Sequence, residues 1–489
     1  MTEEDLPEQV RVRREKLDRL RERGVEPFPV NVARTTSLGD LRARFPDLAV
    51  DTATGETVAI AGRIVLKRDG GRLCFATLRD GTGDLQVMLS LDKVGEESLE
   101  SWKRDIDLGD HVSVVGEVIS SRRGELSVLA GSWTLASKAL RPLPEKWKGL
   151  ADAEARVRQR YVDLVMSPDA RRLVHARATV LQSLRATLAR RDFVEVETGV
   201  LQWTNGGATA RPFTTHMNAF DRDMYLRIAL ELPLKKLVVG GIDRVFEIGR
   251  TFRNEGIDTT HNPEFTMLEA YQAYGDYDTM AELTRDLIVS AAEALGSTMV
   301  PGTDIDLAKP WHTVTVHDAV AEAAGRPVTP DTTLSELVSI AESHEVVLKP
   351  GWSAGEIVLE LFEKLVEHTL LEPTFVKDYP AEVRPLARSH RSDPRLAEAW
   401  DLIIGGVELA PAYSELVDPV EQRRRLTEQS LKAAGGDAEA MQLDEDFLRA
   451  LEHGAPPMGG MGLGVDRLVM LLAGVNIREA IVFPLVRPE

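Results

Sequence analysis

Charged and aromatic side chains alternate along residues 244–275, RVFEIGRTFRNEGIDTTHNPEFTMLEAYQAYG, in the pattern of two strands joined by a turn-rich loop. The side chains there that could bind a ligand or take part in a reaction are Arg253, Glu255, His261, Asn262, Phe265, Glu269 and Tyr271. Because unpaired charges are costly to bury, such a hairpin lines a polar cavity or faces water. Aromatic rings beside fixed charges favour the cavity and are typical of a site for a nucleotide and an amino acid.

A second group of acidic side chains lies near the C-terminus, in residues 401–416, DLIIGGVELAPAYSEL. This segment contains Asp401, Glu408 and Glu415, and each acid taken alone is typical of a solvated surface group. A plain strand cannot place Asp401 and Glu408 on one face, but a bulge or a turn at Gly405–Gly406 can. The two glycines therefore decide whether these acids act together.

Composition limits the class of protein. A chain of 489 residues with 43% hydrophobic content is long enough for two or three domains with a substantial core. The single cysteine, Cys74, excludes an internal disulfide and a Cys-rich zinc site. The start MTEEDLPEQ is acidic rather than a cationic signal region, and no apolar run is long enough to span a bilayer. We therefore expect a cytoplasmic protein without a membrane partner.

The distribution of charge points to the first third of the chain as the part that tolerates a polyanion. The net charge of −19 argues against non-specific coating of nucleic acid, but residues 1–150 carry only −1 and the remainder carries −18. Residues 11–23, RVRREKLDRLRER, place seven cations on a helix predicted over residues 8–24. A solvated helix with intrahelical ion pairs explains the same pattern.

Short strands separated by turns fill residues 57–138, with a helical stretch near residues 96–106. The pattern predicts five strands with a helix between the third and the fourth. This is the order of an OB-fold, which binds single-stranded nucleic acid. We therefore predict an OB-fold β-barrel domain over residues 57–145, preceded by an N-terminal helix and extension over residues 1–56.

Residues 139–155, which contain RPLPEKWKG, form a proline-containing polar link that indicates a domain boundary, and residues 146–489 are predicted to form the second domain. DARRLVHARATVLQSLRATLARRD predicts an amphipathic helix that runs into the strand FVEVET, and MGGMGLGVDRLVML predicts a glycine-rich strand end that leads into an apolar helix. Residues 276–398 alternate helical segments with short loops and look like an inserted helical subdomain without chemistry of its own. The predicted fold class is α+β.

These segments together resemble the class II aminoacyl-tRNA synthetases. The hairpin is similar to motif 2, and the block FRNEG followed by HNPEFTMLE is similar to the lysyl branch of subclass IIb. The unit ending in FVEVET resembles motif 1, a dimer element, and MGGMGLGVDRLVML resembles motif 3. The resemblance implies the class II antiparallel sheet with flanking helices behind an anticodon-binding OB domain, in a lysyl-tRNA synthetase or a divergent paralogue.

The resemblance also implies residue roles. Arg253 would grip the substrate carboxylate and the ATP α-phosphate, and Arg467 would clamp the γ-phosphate end, so these are the expected catalytic residues. The residues expected to bind lysine are Gly207, Glu231, Arg253, Glu269, Tyr271 and Glu415. The residues expected to bind ATP are Arg253, Glu255, His261, Asn262, Phe265, Glu408 and Arg467. Carboxylates suit a cationic substrate tail, whereas an aspartyl enzyme of the same subclass would need a cation.

A metal ion and macromolecular partners follow from the same resemblance. Mg²⁺ on the ATP phosphates would be bound by Asp401, Glu408 and Glu415, because hard carboxylate oxygens are what Mg²⁺ requires. The anticodon of tRNA(Lys) would be contacted by Arg63, Phe75 and Gln86. From the residues alone, Phe75 is favoured as a barrel-core aromatic. A homodimer is expected as well.

The chain departs from the family pattern at four positions. Gly199 follows VET where the family has proline, and glycine relaxes a backbone that proline would fix. Leu230 stands where proline is usual, and Pro233 where an aromatic is usual; proline there is compatible with the first turn of a helix that starts near Glu231. Pro411 stands where a polar side chain is usual and supplies no side-chain donor.

The expected function is ATP-dependent activation of L-lysine to lysyl-adenylate, followed by transfer to tRNA(Lys). This chemistry needs no side-chain nucleophile, so the lack of a Ser-His-Asp or Cys-His arrangement does not count against it. Two alternatives remain at this point. One is a lysine-adenylating paralogue that transfers to an acceptor other than tRNA, and the other is a non-catalytic tRNA-binding paralogue.

Overall fold

The computed structural model describes residues 6–144, 150, 152–436 and 439–487, and it divides into the units Met1–Ala151 and Asp152–Glu489. The predicted boundary between residues 145 and 146 lies outside the described residues.

Alternating apolar residues build a closed barrel in the first unit. Its elements are α1 (Glu8–Glu22), α2 (Leu38–Arg44), β1 (Ala53–Arg68), β2 (Leu73–Arg79), β3 (Asp84–Ser90), α3 (Leu91–Val94), α4 (Glu96–Asp105), β4 (His111–Ser120) and β5 (Leu126–Ser137). The strands close in the order β1-β2-β3-β5-β4, with α3 and α4 between the third and the fourth strand. In β2, Cys74, Ala76 and Leu78 are buried while the residues between them are partly exposed. The predicted OB-fold is confirmed.

The second unit is built around one large sheet. Its helices are α5 (Ala153–Arg158), α6 (Arg160–Met166), α7 (Pro168–Arg190), α8 (Glu231–Val239), α9 (Tyr277–Ala294), α10 (Val316–Ala324), α11 (Leu334–Ser343), α12 (Ala354–Leu365), α13 (Pro419–Ala434), α14 (Glu445–Glu452), α15 (Val465–Ala473) and α16 (Ile477–Ala480). Its strands are β6 (Val194–Glu195), β7 (Leu201–Gln202), β8 (Thr214–Met217), β9 (Arg222–Leu226), β10 (Arg244–Phe252), β11 (Glu264–Ala273), β12 (His312–Thr315), β13 (Thr374–Lys377), β14 (Ala399–Ile404), β15 (Val407–Ser414) and β16 (Met458–Gly464).

The large sheet has the order β12-β13-β14-β15-β16-β11-β10-β6, and β7, β9 and β8 form a small separate sheet. The strands from β13 to β10 pair antiparallel, whereas β12 pairs with β13 and β6 pairs with β10 in parallel at the two edges. The class II sheet with flanking helices is therefore confirmed as a mostly antiparallel sheet with parallel edges.

The two faces of the large sheet differ in chemistry. On β11, Leu268 and Ala270 belong to the hydrophobic core that also contains Leu184 of α7, Leu287 of α9 and Leu468 of α15. The β11 residues that alternate with them carry the polar groups of the predicted site, because successive side chains of a strand point to opposite faces. One face of the sheet thus packs on helices, and the other is free to line a cavity.

The segment predicted as a helical insertion contributes both to the large sheet and to a core of its own. Strands β12 and β13 extend the sheet, while α10, α11 and α12 share a separate hydrophobic cluster that includes Ile340, Leu361 and Tyr379. Capping boxes at Thr333 and Ser353 begin α11 and α12. Each hydroxyl accepts a hydrogen bond from the backbone N–H of the third helical residue, a glutamate, whose carboxylate accepts one from the backbone N–H of the capping residue. Within the described ranges, no helix is both long and apolar enough to cross a membrane.

Candidate active site

Two neighbouring cavities of about 290 and 260 Å³ lie on the polar face of the sheet, and Arg253, Met267, Glu408 and Pro411 line both. The first is also lined by Gly207, Glu231, Glu269, Tyr271, Tyr413 and Glu415. The second is also lined by Glu255, His261, Asn262, Phe265, Asp466 and Arg467. The structure therefore brings every residue expected to bind lysine to the first cavity and every residue expected to bind ATP to the second.

The predicted hairpin consists of β10 and β11 in antiparallel register, and Arg253 follows the end of β10. The Arg253 guanidinium lies over the Phe265 ring, 5.2 Å from its centre, and its Nε is 3.4 Å from the Ile228 carbonyl oxygen. Burial lowers the pKa of Arg253 while the charges of Glu255 and Glu408 oppose that shift. Among the described residues, no carboxylate lies within ion-pair distance of Arg253, so this cation is available to an anionic ligand.

Buried carboxyl groups surround the first cavity. Glu269 accepts hydrogen bonds from the Leu230 backbone N–H at 2.9 Å and from the Tyr271 hydroxyl at 3.0 Å. Burial and the nearby Glu231 raise the pKa of Glu269 to about 7. Burial raises the pKa of Glu415 to about 8, although a neighbouring cation opposes that rise. These acids are therefore poised to lose protons when a cation enters.

That neighbouring cation is Lys235 of α8, which was not predicted as a site residue. Its Nζ lies 2.5 Å from Glu231 Oε1 and also forms an ion pair with Glu415, and its side chain is 1% exposed. Burial lowers the pKa of Lys235, but the charges of Glu231 and Glu415 outweigh burial and raise it. The spacing of Glu231 and Lys235 by one helical turn was the sequence signal for this pair.

Glycines make room for the carboxyl groups. Gly207 has φ +88°, and a side chain there would press on Ala229. A Cβ at Gly460 would collide with Glu415 and with the Tyr271 ring, and one at Gly462 would press on Met267. The glycines of MGGMGLG lie inside β16, which leads directly into α15, so the predicted glycine-rich strand end and apolar helix are confirmed.

Arg467 organises polar groups that line the second cavity. Its Nη1 donates to the Glu408 carbonyl oxygen at 2.7 Å, and its Nη2 donates to His261 Nε2 at 3.1 Å. His261 Nδ1 in turn lies 2.8 Å from Asp258 Oδ2. Burial opposes the charge of Asp258, but hydrogen bonds from Thr260 and His261 lower its pKa to about 2. His261 is therefore held with Nδ1 as donor and Nε2 towards Arg467.

The same cavity is also lined by Phe265 and Asn262. Asn262 is buried, and its Nδ2 donates to the Glu264 carbonyl oxygen at 2.6 Å. Its buried Oδ1 has no hydrogen-bond partner among the residues described. Because a buried acceptor without a partner is unfavourable, this atom is suited to a donor on a ligand that stacks on Phe265.

A turn places Asp401 and Glu408 on the adjacent strands β14 and β15, as the glycine pair suggested. Gly405 and Gly406, with φ +65° and +72°, connect β14 to β15, and the register shifts between Leu402 and Ile403. Glu408 consequently reaches both cavities.

The expected metal ligands do not gather into one set. Asp401 forms an ion pair with Arg384, and Glu415 forms one with Lys235. In the part of the chain that the structure describes, no three His, Cys, Asp or Glu side chains are grouped as metal ligands. Of the three acids, Glu408 is the one that stays without an ion pair there. A sequence pattern of acids could not show that protein cations occupy the other two.

The family departures have local consequences. Leu230 precedes α8, and its N–H, which a proline would lack, donates to Glu269. Pro233 lies in the first turn of α8, as expected for a proline near a helix start. Pro411 lines both cavities and offers no side-chain donor to either. Tyr413, which was not predicted, lines the first cavity.

The residues expected at the anticodon share the outer face of the barrel. Phe75 pairs with Met88 and is half-buried, Gln86 pairs with Thr77, and Arg63 pairs with Arg79 across β1, β2 and β3. The interpretation of Phe75 as a barrel-core aromatic is wrong, because its neighbours in β2 fill the core instead. Two of the three side chains already have protein partners: Arg63 Nη1 donates to the Gly109 carbonyl oxygen and Gln86 Nε2 to Ser127 Oγ, both at 2.9 Å.

Helix α1 uses part of its positive charge within the first unit. Arg13 donates to the Ala139 and Leu108 carbonyl oxygens, and Lys16 and Arg23 pair with Asp107 and Asp105. These bonds are structural rather than intrahelical, so only the remaining cations of the helix are left for a polyanion.

Comparison with known proteins agrees with this geometry. Residues 152–487 match the model of the tRNA synthetases of class II (D, K and N), and residues 58–136 match that of the OB-fold nucleic acid binding domain. The chain belongs to the class II tRNA synthetases.

Full-length relatives identify the branch. The chain is 53% identical to the lysine–tRNA ligase of Mycobacterium tuberculosis, over 100% of this chain and 99% of the relative, and 55% identical to that of Kineococcus radiotolerans, over 99% and 98%. It is also 52% identical to the lysylphosphatidylglycerol biosynthesis bifunctional protein LysX of Mycolicibacterium vanbaalenii, over 99% of this chain but 44% of that protein. Within class II, its family is that of the lysine–tRNA ligases, which confirms the predicted function.

Proposed function

We propose that the two cavities are the lysine and ATP sites of this lysine–tRNA ligase, and that Arg253 acts where they meet. The observation that supports this most is a guanidinium without a carboxylate partner, placed between an acid-lined cavity and a cavity with a stacking ring. A zwitterion with a cationic tail fits the first cavity, and a nucleotide fits the second. Arg253 would meet the substrate carboxylate and the α-phosphate, which react with each other.

Charge balance supports lysine as the occupant of the first cavity. Four carboxyl groups and three cations meet at this cavity, so the ionised site carries one surplus negative charge. The groups are Glu231, Glu269, Glu408 and Glu415 against Arg253, Arg384 and Lys235. L-Lysine carries one net positive charge, which the site would neutralise. We assign Glu231, with the Gly207 backbone, to the α-amino group, and Glu269, Tyr271 and Glu415 to the side-chain ammonium.

The second cavity would hold ATP in a bent form. Adenine would stack on Phe265, with Glu255, His261 and Asn262 as polar contacts, and Arg467 would meet the γ-phosphate end. Mg²⁺ enters as part of the substrate Mg·ATP, and Glu408 is the acid that supports this placement, because it lines both cavities and makes no ion pair in the described structure. The protein would contribute positioning and electrostatics.

The reaction has two steps. A lysine carboxylate oxygen attacks the α-phosphorus, the bond to the bridging oxygen breaks, and pyrophosphate leaves as lysyl-adenylate forms. Arg253 and Arg467 stabilise the charge that develops on the phosphate oxygens. The terminal ribose hydroxyl of tRNA(Lys) then attacks the adenylate carbonyl carbon, loses its proton, and AMP leaves. Charging of tRNA(Lys) by the purified chain tests this proposal, and activation of lysine without charging would favour a different acceptor.

Lysine binding is expected to strengthen as pH rises through about 7 to 8, the pKa values of Glu269 and Glu415 in the empty site. Below those values the carboxyl groups hold protons that the lysine ammonium must displace, so affinity falls on acidification by up to about tenfold per pH unit for each proton released. Calorimetry in buffers of different ionisation enthalpy measures both the affinity and the protons. The same lysine affinity on either side of this range, with no proton release, would contradict the assignment of the two acids.

We propose that the first unit is the anticodon-binding domain and that Phe75 stacks on an anticodon base. Phe75→Ala should weaken tRNA(Lys) binding by about 1–3 kcal/mol, the usual contribution of one stacked base, without changing lysine-dependent pyrophosphate exchange. Phe28→Ala is the matched control, because that ring is 44% exposed and lies outside the barrel strands. Equal tRNA affinity of the Phe75 variant and the control would show that the ring does not stack on tRNA.

We also propose a cytoplasmic homodimer. Exposed apolar side chains on and near β6, β7 and β8 support an interface, namely Val194, Leu201, Trp203 and Phe220, which are between 47% and 63% exposed. Val194→Glu should shift the mass measured by light scattering from dimer to monomer, because it places a charge in an apolar contact. A monomeric mass for the unmodified chain would refute the dimer.

A further inference from the structure

Arg384 lines the first cavity, whereas Asp401, one of the expected metal ligands, lines neither cavity. The two side chains form an ion pair through Arg384 Nη2 and Asp401 Oδ2. Asp401 is 7% exposed and lies on β14, and Arg384 follows the 3-10 turn Ala381–Val383. The Arg384 guanidinium therefore lies between the first cavity and the Asp401 carboxylate.

The Arg384 side chain is stacked on an aromatic ring, and its backbone is held by a neighbouring arginine. Its carbon atom lies 4.2 Å from the centre of the Tyr379 ring, which is fully buried. The Arg384 backbone carbonyl accepts from Arg425 Nη1 at 3.4 Å, and Arg425 also donates to the Ala387 carbonyl oxygen at 2.9 Å. A guanidinium that is stacked on a ring and only 18% exposed has few alternative positions, so the pair with Asp401 is a fixed feature of the site.

Because the Arg384 guanidinium already pairs with Asp401, this carboxylate cannot also bind a metal cation. A divalent ion needs open carboxylate oxygens, and two like charges at contact distance repel strongly where water is scarce. Glu408 differs from Asp401 in both respects, since it borders both cavities and makes no ion pair with any residue that the structure describes. The two acids therefore cannot be equivalent ligands.

We propose that Arg384 stands in for a metal ion at Asp401, so that Glu408 is the acidic side chain that meets the metal of Mg·ATP. Asp401 is then a positioning residue that orients Arg384, and Arg384 supplies a fixed positive charge at the wall of the lysine cavity. The inference rests on the proposed function, because it takes Mg·ATP as the ligand of the second cavity.

Metal binding rather than activity tests the inference. Mn²⁺ replaces Mg²⁺ as a paramagnetic probe, and its binding to the full chain is measured by electron paramagnetic resonance with saturating α,β-methylene ATP, which cannot form the adenylate. Asp401→Asn should change the Mn²⁺ dissociation constant by less than about threefold, whereas Glu408→Gln should raise it by about tenfold or more, the scale of losing a metal ligand or its support. Arg384→Ala should strengthen Mn²⁺ binding or add a site, because it frees Asp401.

The double variant Arg384→Ala/Asp401→Asn is the matched control, because it removes both charges of the ion pair and is expected to return Mn²⁺ binding to that of the unmodified chain. It also keeps the test usable if Arg384→Ala alone does not fold, since no buried charge is left unpaired. Loss of Mn²⁺ affinity in Asp401→Asn equal to that in Glu408→Gln would overturn the inference. Lysine-dependent pyrophosphate exchange by the unmodified chain separately tests the proposed function.

Discussion

Arg253→Ala is expected to slow lysine-dependent ATP–pyrophosphate exchange by roughly a hundredfold or more, the scale of losing one donor to the transition state. The guanidinium is placed where the two cavities meet, and the described structure gives it no carboxylate partner. The guanidinium can therefore interact more strongly with the α-phosphate as negative charge develops there. The main loss should appear in kcat, because the interaction strengthens as the bond to pyrophosphate breaks.

Arg250→Ala is the matched control for this prediction. Arg250 lies on β10, three residues before Arg253, lines neither cavity, and its Nε is 3.6 Å from Glu264 in an exposed pair. It should retain near-normal exchange, since exposed ion pairs contribute little. Near-normal exchange by the Arg253 variant would refute its catalytic role.

Glu415→Gln is expected to weaken lysine binding by about 2 kcal/mol, or roughly thirtyfold in the dissociation constant, while ATP affinity stays within about twofold. The amide keeps the shape of the side chain but removes the charge that would face the lysine ammonium. Lys235 keeps its bond to Glu231, so the local fold retains a partner for the buried cation. Calorimetric titration with each substrate measures the two affinities.

Glu398→Gln controls for the general cost of neutralising a buried glutamate. Glu398 is 1% exposed, pairs with Arg391 and lines neither of the two cavities. It should lower thermal stability without changing the ratio of lysine to ATP affinity. Equal losses of lysine and ATP affinity in the Glu415 variant would show that the first cavity is misassigned.

The local sequence pattern was sufficient to predict the strands that position the site residues. Alternation predicted the hairpin of β10 and β11, and turn residues predicted the barrel strands, because both signals are contained in neighbouring residues. The same alternation could have placed Phe75 on the outer face, since Cys74 and Ala76 beside it are small and suit the barrel core. The general tendency of aromatic side chains to be buried misled the interpretation of Phe75.

The local sequence pattern could not predict contacts between segments that are distant in the chain. Lys235 meets Glu415, and Arg384 meets Asp401, only because the fold brings separate elements together. Gly460 is needed because Glu415 and Tyr271 approach its strand from both neighbours. Resemblance to a family named the acids of the site, but only the structure showed which protein cations they already bind.

ATP–pyrophosphate exchange with each amino acid in turn tests the central assignment most directly, because it reports both adenylation and the identity of the activated substrate. We expect lysine to stimulate exchange far more than any other amino acid, and arginine, which is also cationic, to be a poor substitute. Exchange that no amino acid stimulates, or that another amino acid stimulates more than lysine, would contradict the assignment of the two cavities.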